Sequence, residues 1–566
     1  MYASHGKVGS SSDDNNWAAG QASSHATETA APRACSLHIR HPLSTLHSSQ
    51  PRPPTCPLAL CKQKFSVSIY KPCDIRGDAT AELSPVLYHR WGETLGDWTG
   101  NGGKFVAGGD IRMSTSTFLA ALIDGLCCSG VDCVCLGQLP TPMIYYAKRR
   151  LRAAGCAIVT ASHNPACANG LKWMIGEEPP RPEQIARLQQ ATEAGNGARA
   201  PATAGGADSG RSPAAMPARE DRVPPAVARS VQAVIHGPQV TRHAPRDLDI
   251  SFDYVAWLQE TWIEGLRSRL HVVIDPMHGA WSGRARRYLH AVFPECLVSV
   301  LHDKPDPEFG GVPPDCSRPE HLDELCEAVY RERADVGIAL DGDGDRMALV
   351  DNQGVPLSAE ETASVLLWSF GDQLRGRPFV HDQKFSDRVP EAARLLGAEP
   401  LVERSGHAFL RARMRQCGAP FGAEVSGHYF FAELDGDDDG LFAACRVISY
   451  LARCGQPLDK LRRRCARVYM TPDLRLPLAG ATQEKVLEQV RSAWAAFPQH
   501  ALDGVRIDVP GGWALVRSSV TESALTFRFE AADWPGLDDL VERFCASVPE
   551  IAAGLWARYE AALGRR

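Results

Sequence analysis

From Phe105 onward the chain alternates short apolar runs with amphipathic stretches, and this alternation restricts the fold more than any other feature. Phe105–Ala107 reads as a strand, Thr117–Leu126 as a helix, Val131–Leu136 as a strand, Met143–Arg152 as a helix and Cys156–Thr160 as a strand. Strands joined through helices pair in a mostly parallel sheet, because each crossover returns the chain to the starting edge of the next strand. The rhythm returns at His271–Asp275 and passes through a helix whose Leu322, Leu325, Cys326 and Val329 follow the i, i+3, i+4, i+7 spacing. It then enters the strand Val336–Leu340. A third round runs from Phe379 to about Ala452. The last hundred residues break the pattern, with short strands near Val505–Val509, Trp513–Arg517 and Leu525–Glu530 between helices near 482–497 and 536–548. The expected class is α/β, three related mixed α/β units followed by one α+β unit.

Two stretches cannot join such units. Residues 1–62, rich in Ser, His, Ala, Thr and Pro, and residues 192–246, rich in Ala, Gly, Pro and Arg, carry no periodic apolar face. We read the first as a disordered extension and the second as a low-complexity surface insertion. The expected units are then 63–252 (insertion included), 253–368, 369–466 and 467–566. Sixty-one basic against 67 acidic residues give a net charge of −6, so no cationic surface points to nucleic acid or an anionic membrane. The most apolar run, Phe118–Leu136, is interrupted by Asp124 and Asp132, which argues against a membrane span. The start of the chain lacks a basic segment followed by an apolar one, and the eighteen cysteines are dispersed, a usage that suits buried thiols better than a disulfide framework. The expectation is a cytoplasmic enzyme in a reducing compartment.

Ligands of open parallel sheets bind beyond the carboxyl ends of the strands, and two predicted strands end in unusual polar segments. Thr160-Ala161-Ser162-His163-Asn164-Pro165, followed by Asn169-Gly170 and Lys172, places a hydroxyl beside imidazole and ammonium groups. Ser162 could be a nucleophile or a phosphate carrier, although Ser, Asn and Pro also favour plain turns. At the end of Val336–Leu340, Asp341-Gly342-Asp343-Gly344-Asp345-Arg346 sets three carboxylates at alternate positions. They repel one another unless a hard cation sits among them. A calcium loop would need Gly at its sixth position and Glu at its twelfth, where this chain has Arg346 and Asn352. Three carboxylates with open positions suit Mg²⁺ held together with a phosphate oxygen. Gly422-Ala423-Glu424-Val425-Ser426-Gly427-His428 could bind sugar hydroxyls or form a hairpin turn. Arg517-Ser518-Ser519-Val520-Thr521-Glu522 could clamp a phosphate or form a polar hairpin loop. Lys71-Pro72-Cys73-Asp74-Ile75-Arg76-Gly77 is a further polar segment near the start.

Together and in this order these segments resemble the α-D-phosphohexomutase superfamily over about residues 65–545, apart from the insertion. Within it they are most similar to bacterial phosphomannomutase/phosphoglucomutase. The resemblance implies three α/β domains and a fourth α+β domain around one central cleft. It implies Ser162 as the phosphoryl carrier and a metal ligand, Asp341, Asp343 and Asp345 as Mg²⁺ ligands, and Arg346 beside the phosphoserine. Glu424 and Ser426 would meet sugar hydroxyls, and Arg517, Ser519 and Thr521 the phosphate. Arg76, Lys172, Lys384, His407 and His428 would line the cleft. Lys172, His163 and Arg76 remain open as the group that takes the sugar hydroxyl proton. The activity so implied is reversible transfer of phosphate between C1 and C6 of mannose or glucose phosphate, with hexose 1,6-bisphosphate as activator and a monomer as the expected state. A phosphoglucosamine mutase and a catalytically silent phosphosugar-binding protein are the alternatives. The sequence departs from that branch at Cys73 (usually Tyr), Gly109 (commonly Arg), Asp315 (usually Asn) and Val520 (usually Asn or Gly).

Overall fold

Three of the four sheets among the described residues share one construction: parallel strands, with an antiparallel strand added beside them by a hairpin. The computed structural model describes residues 68–194, 244–262, 269–519 and 523–564. The first sheet contains β1 (Ile75–Asp78), β2 (Lys104–Gly109), β3 (Asp132–Gln138), β4 (Gly155–Val159), β5 (Ala168–Ile175) and β6 (Arg246–Asp247), in the order β1-β5-β4-β2-β3-β6. β2 is parallel to β3 and β4, and β6 is parallel to β3, whereas β5 runs antiparallel to both β4 and β1. The second sheet contains β7 (His271–Asp275), β8 (Leu297–Val300), β9 (Val336–Leu340) and β10 (Met347–Asp351), with only β10 antiparallel. The third contains β11 (Pro378–Asp382), β12 (Glu399–Glu403), β13 (Phe421–Ala423) and β14 (Tyr429–Phe431), with only β14 antiparallel. The hairpins β4–β5, β9–β10 and β13–β14 therefore occupy equivalent places in three sheets. Their turns contain Ser162, Asp341–Asp345 and Glu424–His428.

The strands and helices read from the sequence are present, with one correction. The sequence places Asn169, Gly170 and Lys172 in a polar loop, but the structure folds them into β5. Asn169 and Lys172 are buried against polar partners, and with Gly170 they mask the alternation of Leu171, Trp173 and Ile175 by which the strand would be recognised. The proposed insertion is also shorter than its composition suggests. The helix Pro182–Ala194 and strand β6 enter it from either end, and its residues 195–243 lie outside the described residues, as does the extension 1–62. The final helix, Ala552–Ala562, had no counterpart in the sequence reading.

One apolar core runs through the first three sheets, joining Ile158, Trp281, Ile338, Phe379, Phe431 and Phe442. The other face of the first sheet buries Tyr88, Trp91, Phe118 and Trp173 under two helices, Pro85–Thr99 and Thr115–Cys128. Between those helices His89 is buried, its Nε2 3.1 Å from Asp124 and its Nδ1 3.6 Å from Glu93. Burial disfavours the imidazolium, but the hydrogen bonds to the two carboxylates outweigh it and push His89 up to about 9.

The fourth sheet is built from β15 (Tyr469–Met470), β16 (Leu474–Pro477), β17 (Gln499–His500), β18 (Val505–Val509), β19 (Gly512–Ser518) and β20 (Ala524–Ala531), all antiparallel. It has a core of its own around Val486, Phe527, Phe544 and Tyr559. Polar contacts also tie it to the loop after β11. Ser386 Oγ donates to Glu530 at 2.6 Å, Arg506 to Asp387 at 2.6 Å, and Gln383 Nε2 to the Asp503 carbonyl at 3.0 Å. Among the described residues no helix is long and apolar enough to cross a membrane.

Candidate functional site

The β4–β5 turn presents Ser162 in the left-handed region, with φ of +51°, a conformation that side-chain-bearing residues adopt only when their surroundings enforce it. Its Oγ donates to Asp341 Oδ2 at 2.8 Å and lies 3.4 Å from His163 Nδ1. Its backbone N–H donates to Thr160 Oγ1 at 2.8 Å. Arg76 on β1 faces Gly170 of β5 and donates to the Thr160 carbonyl at 2.8 Å, while Asp74 holds its Nε at 2.9 Å. Lys172 on β5 extends its ammonium to Asp343 at 2.9 Å and Asp345 at 2.5 Å.

The β9–β10 turn supplies the acidic cluster, whose three aspartates can each present an oxygen within 4.8 Å of the others. Asp341 Oδ1 accepts the Gly344 N–H at 3.0 Å, and Asp343 Oδ2 accepts from Thr141 Oγ1 at 2.8 Å. The turn requires glycine at 344, where φ is +81° and a Cβ would fall 2.2 Å from the Trp281 ring. Burial, then Asp345 and Asp343, push the Asp341 carboxyl well up. Asp343 is held below the carboxylate range because Lys172 and Arg76 outweigh its burial. Asp343 Oδ1 and Asp345 Oδ1 are buried without a hydrogen-bond partner among the described residues. Orphaned acceptors are costly. Two of them pointing out of a crowded carboxylate cluster fit a hard divalent cation, so the donor set suits Mg²⁺.

The β13–β14 turn approaches the same place. His428 is bound on both ring nitrogens: Nδ1 is 2.5 Å from Asp438, and Nε2 accepts from Arg346 Nε at 2.9 Å. Arg346 also lies 3.7 Å from Asp341 and 3.9 Å from Asp315. Burial pushes His428 and His407 down to about 4. Glu424 Oε2, Ser426 Oγ and His407 Nε2 are buried and have no partner among the described residues, the complement that polyhydroxyl recognition needs. Cys73 Sγ lies beside Gly406, 3.5 Å from where a Cβ would sit. Its thiol is pushed up by burial, with Asp74 and Glu424 adding to the effect.

Lys384, after β11, is 3.4 Å from Asp473. Arg517, at the end of β19, is 2.7 Å from Asp503. Asp503 also feels Asp382, Arg404 and Lys384, which links the fourth sheet's loop to the loops of the third. Ser519 N–H donates to the Ala524 carbonyl at 2.8 Å, and Thr521 lies outside the described residues. The structure thus joins Ser162, His163, Lys172, Arg76, Arg346, the three aspartates and His428 in one cluster. Lys384 and Arg517 lie in the adjoining ion-pair network. Sequence reasoning missed Thr141, Asp438 and Asp503. Only Asp438 had a local signal, its place in the run Asp437-Asp438-Asp439.

Comparison with known proteins gives a consistent set of matches. Residues 69–197, 253–354 and 359–469 match α/β/α domains I, II and III of the phosphoglucomutase/phosphomannomutase family. The chain is 28% identical over 473 residues to a phosphomannomutase/phosphoglucomutase of Pseudomonas aeruginosa, covering 82% of this chain and 92% of that protein. It is 29% identical over 474 residues to a probable phosphoglucosamine mutase of Methanothermobacter thermautotrophicus, covering 81% and 92%. Among solved structures it resembles a phosphoglucomutase/phosphomannomutase family protein of Burkholderia thailandensis, with a TM-score of 0.72 and 26% identity over 86% of this chain and 98% of that one.

Proposed function

This chain belongs to the phosphoglucomutase/phosphomannomutase family of the α-D-phosphohexomutases, and we propose that it interconverts hexose 1- and 6-phosphates of glucose and mannose through a phosphoserine at Ser162. The observation that carries the reading is the placement of Ser162 Oγ 2.8 Å from Asp341, beside carboxylate oxygens that have no hydrogen-bond partner among the described residues.

In this reading a free sugar hydroxyl attacks the phosphorus of phosphorylated Ser162. The new O–P bond forms as the Oγ–P bond breaks, and a hexose 1,6-bisphosphate results. After reorientation the other phosphate returns to Ser162 Oγ, and the same bisphosphate added from outside would prime unphosphorylated enzyme. Asp341, Asp343, Asp345 and the Ser162 oxygen would hold Mg²⁺, which neutralises charge on the transferring phosphoryl group. Arg346, Arg76 and Lys172 place further positive charge around Ser162, where charge spreads over the phosphoryl oxygens. His163, with Nδ1 3.4 Å from Ser162 Oγ, would take the serine's hydroxyl proton as phosphate returns to Oγ. Lys172, gripped by Asp343 and Asp345, is placed to hold charge instead. Glu424, Ser426 and His407 would bind sugar hydroxyls, while Lys384, Arg517, Ser519 and Thr521 would bind the phosphate that is not transferring.

We place the enzyme in the cytoplasm as a monomer acting on small phosphosugars, with the four units bounded as the sequence suggests. Turnover of glucose 1-phosphate, mannose 1-phosphate and glucosamine 1-phosphate tests the reading. Conversion of either of the first two to its 6-phosphate supports it. Preference for the third assigns the chain to phosphoglucosamine, and turnover of none of them overturns the enzymatic reading.

A further inference from the structure

Arg112 is 1% exposed, and among the described residues its guanidinium hydrogen-bonds to no side chain expected to meet substrate. All five of its N–H donors are nevertheless committed around the Ser162 turn. Nε donates to Asp110 Oδ2 at 3.0 Å. One terminal nitrogen donates to the carbonyls of Pro165 at 2.6 Å and Ala168 at 3.0 Å. The other donates to the carbonyls of Ser162 and Asn164, both at 2.7 Å. The ring of Phe309 covers the guanidinium at 4.9 Å.

Asp110 extends this support to the other side of the serine. It accepts Thr115 Oγ1 at 2.8 Å and Thr160 Oγ1 at 2.7 Å. The single Thr160 hydroxyl proton is thereby used, so Thr160 Oγ1 can accept the Ser162 N–H. The Ser162 peptide is gripped at both ends: its N–H through Thr160 and its carbonyl by Arg112. That carbonyl also lies 2.6 Å from the place a Cβ would take on Gly342, so the metal-loop backbone closes over it.

A left-handed serine costs about 1–2 kcal/mol relative to the right-handed form, and such strain persists where neighbouring contacts over-determine it. We propose that Arg112 is a positioning residue that holds the Ser162 turn in its left-handed conformation, so that Oγ points at the acidic cluster and phosphoryl transfer occurs in line. The inference rests on Ser162 being the phosphoryl carrier. Five donors in a fixed plane match four carbonyls and a carboxylate, an arrangement that the three N–H bonds of a lysine cannot reproduce.

The test uses the full-length enzyme with Mg²⁺, primed by glucose 1,6-bisphosphate and assayed on glucose 1-phosphate. Arg112→Lys should lower kcat by about 100-fold, the effect of displacing a reacting group by about 1 Å. KM should stay unchanged, because Arg112 meets no sugar. In Arg112→Ala, guanidinium ion at millimolar concentration should restore kcat without affecting the parent. Arg112→Lys with parental kcat, a rise in KM that accounts for the loss, or no guanidinium rescue in folded Arg112→Ala would each overturn the proposal. If the parent itself carries no phosphate on Ser162, the catalytic reading fails instead, so the two failures are distinguishable.

Discussion

Replacing Lys172 with Met would expose how the acidic cluster is kept neutral. The change keeps much of the side-chain length but removes the ammonium held 2.9 Å from Asp343 and 2.5 Å from Asp345. All three groups are almost wholly buried. Removing one partner of a buried ion pair typically costs about 3–5 kcal/mol, because a charge is left uncompensated. Arg76 and Arg346 still act on these carboxylates, which places the cost near the lower end, at about 3 kcal/mol. At about 2–4 °C per kcal/mol for a cooperative unit of 150–250 residues, the melting temperature of metal-free protein should fall by about 6–12 °C. Mg²⁺ should reverse much of that loss, since ligand at 100 times its Kd stabilises by about 2.7 kcal/mol. The Mg²⁺-induced rise should also be larger in the variant than in the parent, because Lys172 and the cation offset the charge of the same two carboxylates. Scanning calorimetry on chelator-treated protein, with and without Mg²⁺, reads both quantities. An unchanged melting temperature without metal, or an equal Mg²⁺ response in both proteins, would refute the claim that Lys172 and the metal answer one excess of negative charge.

The remaining expectations are simpler. Gly344→Ala should destabilise by about 2–5 kcal/mol, from a positive φ and from overpacking against Trp281, and should raise the Mg²⁺ concentration needed for activity; urea unfolding with a metal titration checks both. His89→Gln should melt below the parent at pH 6 and approach it by about pH 9. The raised pKa makes the imidazolium's contribution complete below 6.5 and lost as pH climbs through the folded-state value, so a constant difference across that range would exclude this origin. Glucose 1-phosphate and mannose 1-phosphate should differ in kcat/KM by less than about tenfold, or about 1.4 kcal/mol, if Glu424 and Ser426 bind hydroxyls other than that at C2. A much larger ratio in competition kinetics would mean that a buried group reads the C2 epimer.

How much of this could be read from the sequence depended on how local each signal was. Asp341, Asp343 and Asp345 stand out because acidic residues at alternate positions follow an all-apolar strand, and the structure does gather them. Ser162 was less distinct, since a Ser-His-Asn-Pro turn is common, and its reading drew on the order of the other motifs. Lys172 reads as part of a loop because Asn169, Gly170 and Lys172 interrupt the apolar pattern, although Leu171 and Trp173 of the same strand are buried in the core. Thr141, Asp438 and Arg112 were not singled out. Thr141 meets Asp343 from 202 positions away and Arg112 meets Ser162 from 50, so neither has a neighbour in sequence that reveals its work. The equivalence of the three site hairpins was also hidden, because the repetition lies in strand order and direction rather than in residue identity.

The most direct test of the account is where the phosphate resides. Peptide mapping by mass spectrometry of enzyme primed with glucose 1,6-bisphosphate should find a single phosphate, on Ser162. Ser162→Ala should carry none and lose turnover by orders of magnitude while keeping the parental melting temperature, since one turn hydroxyl adds little to stability. A phosphate on another residue with Ser162 unmodified, or full turnover by Ser162→Ala, would contradict the assignment on which the mechanism stands.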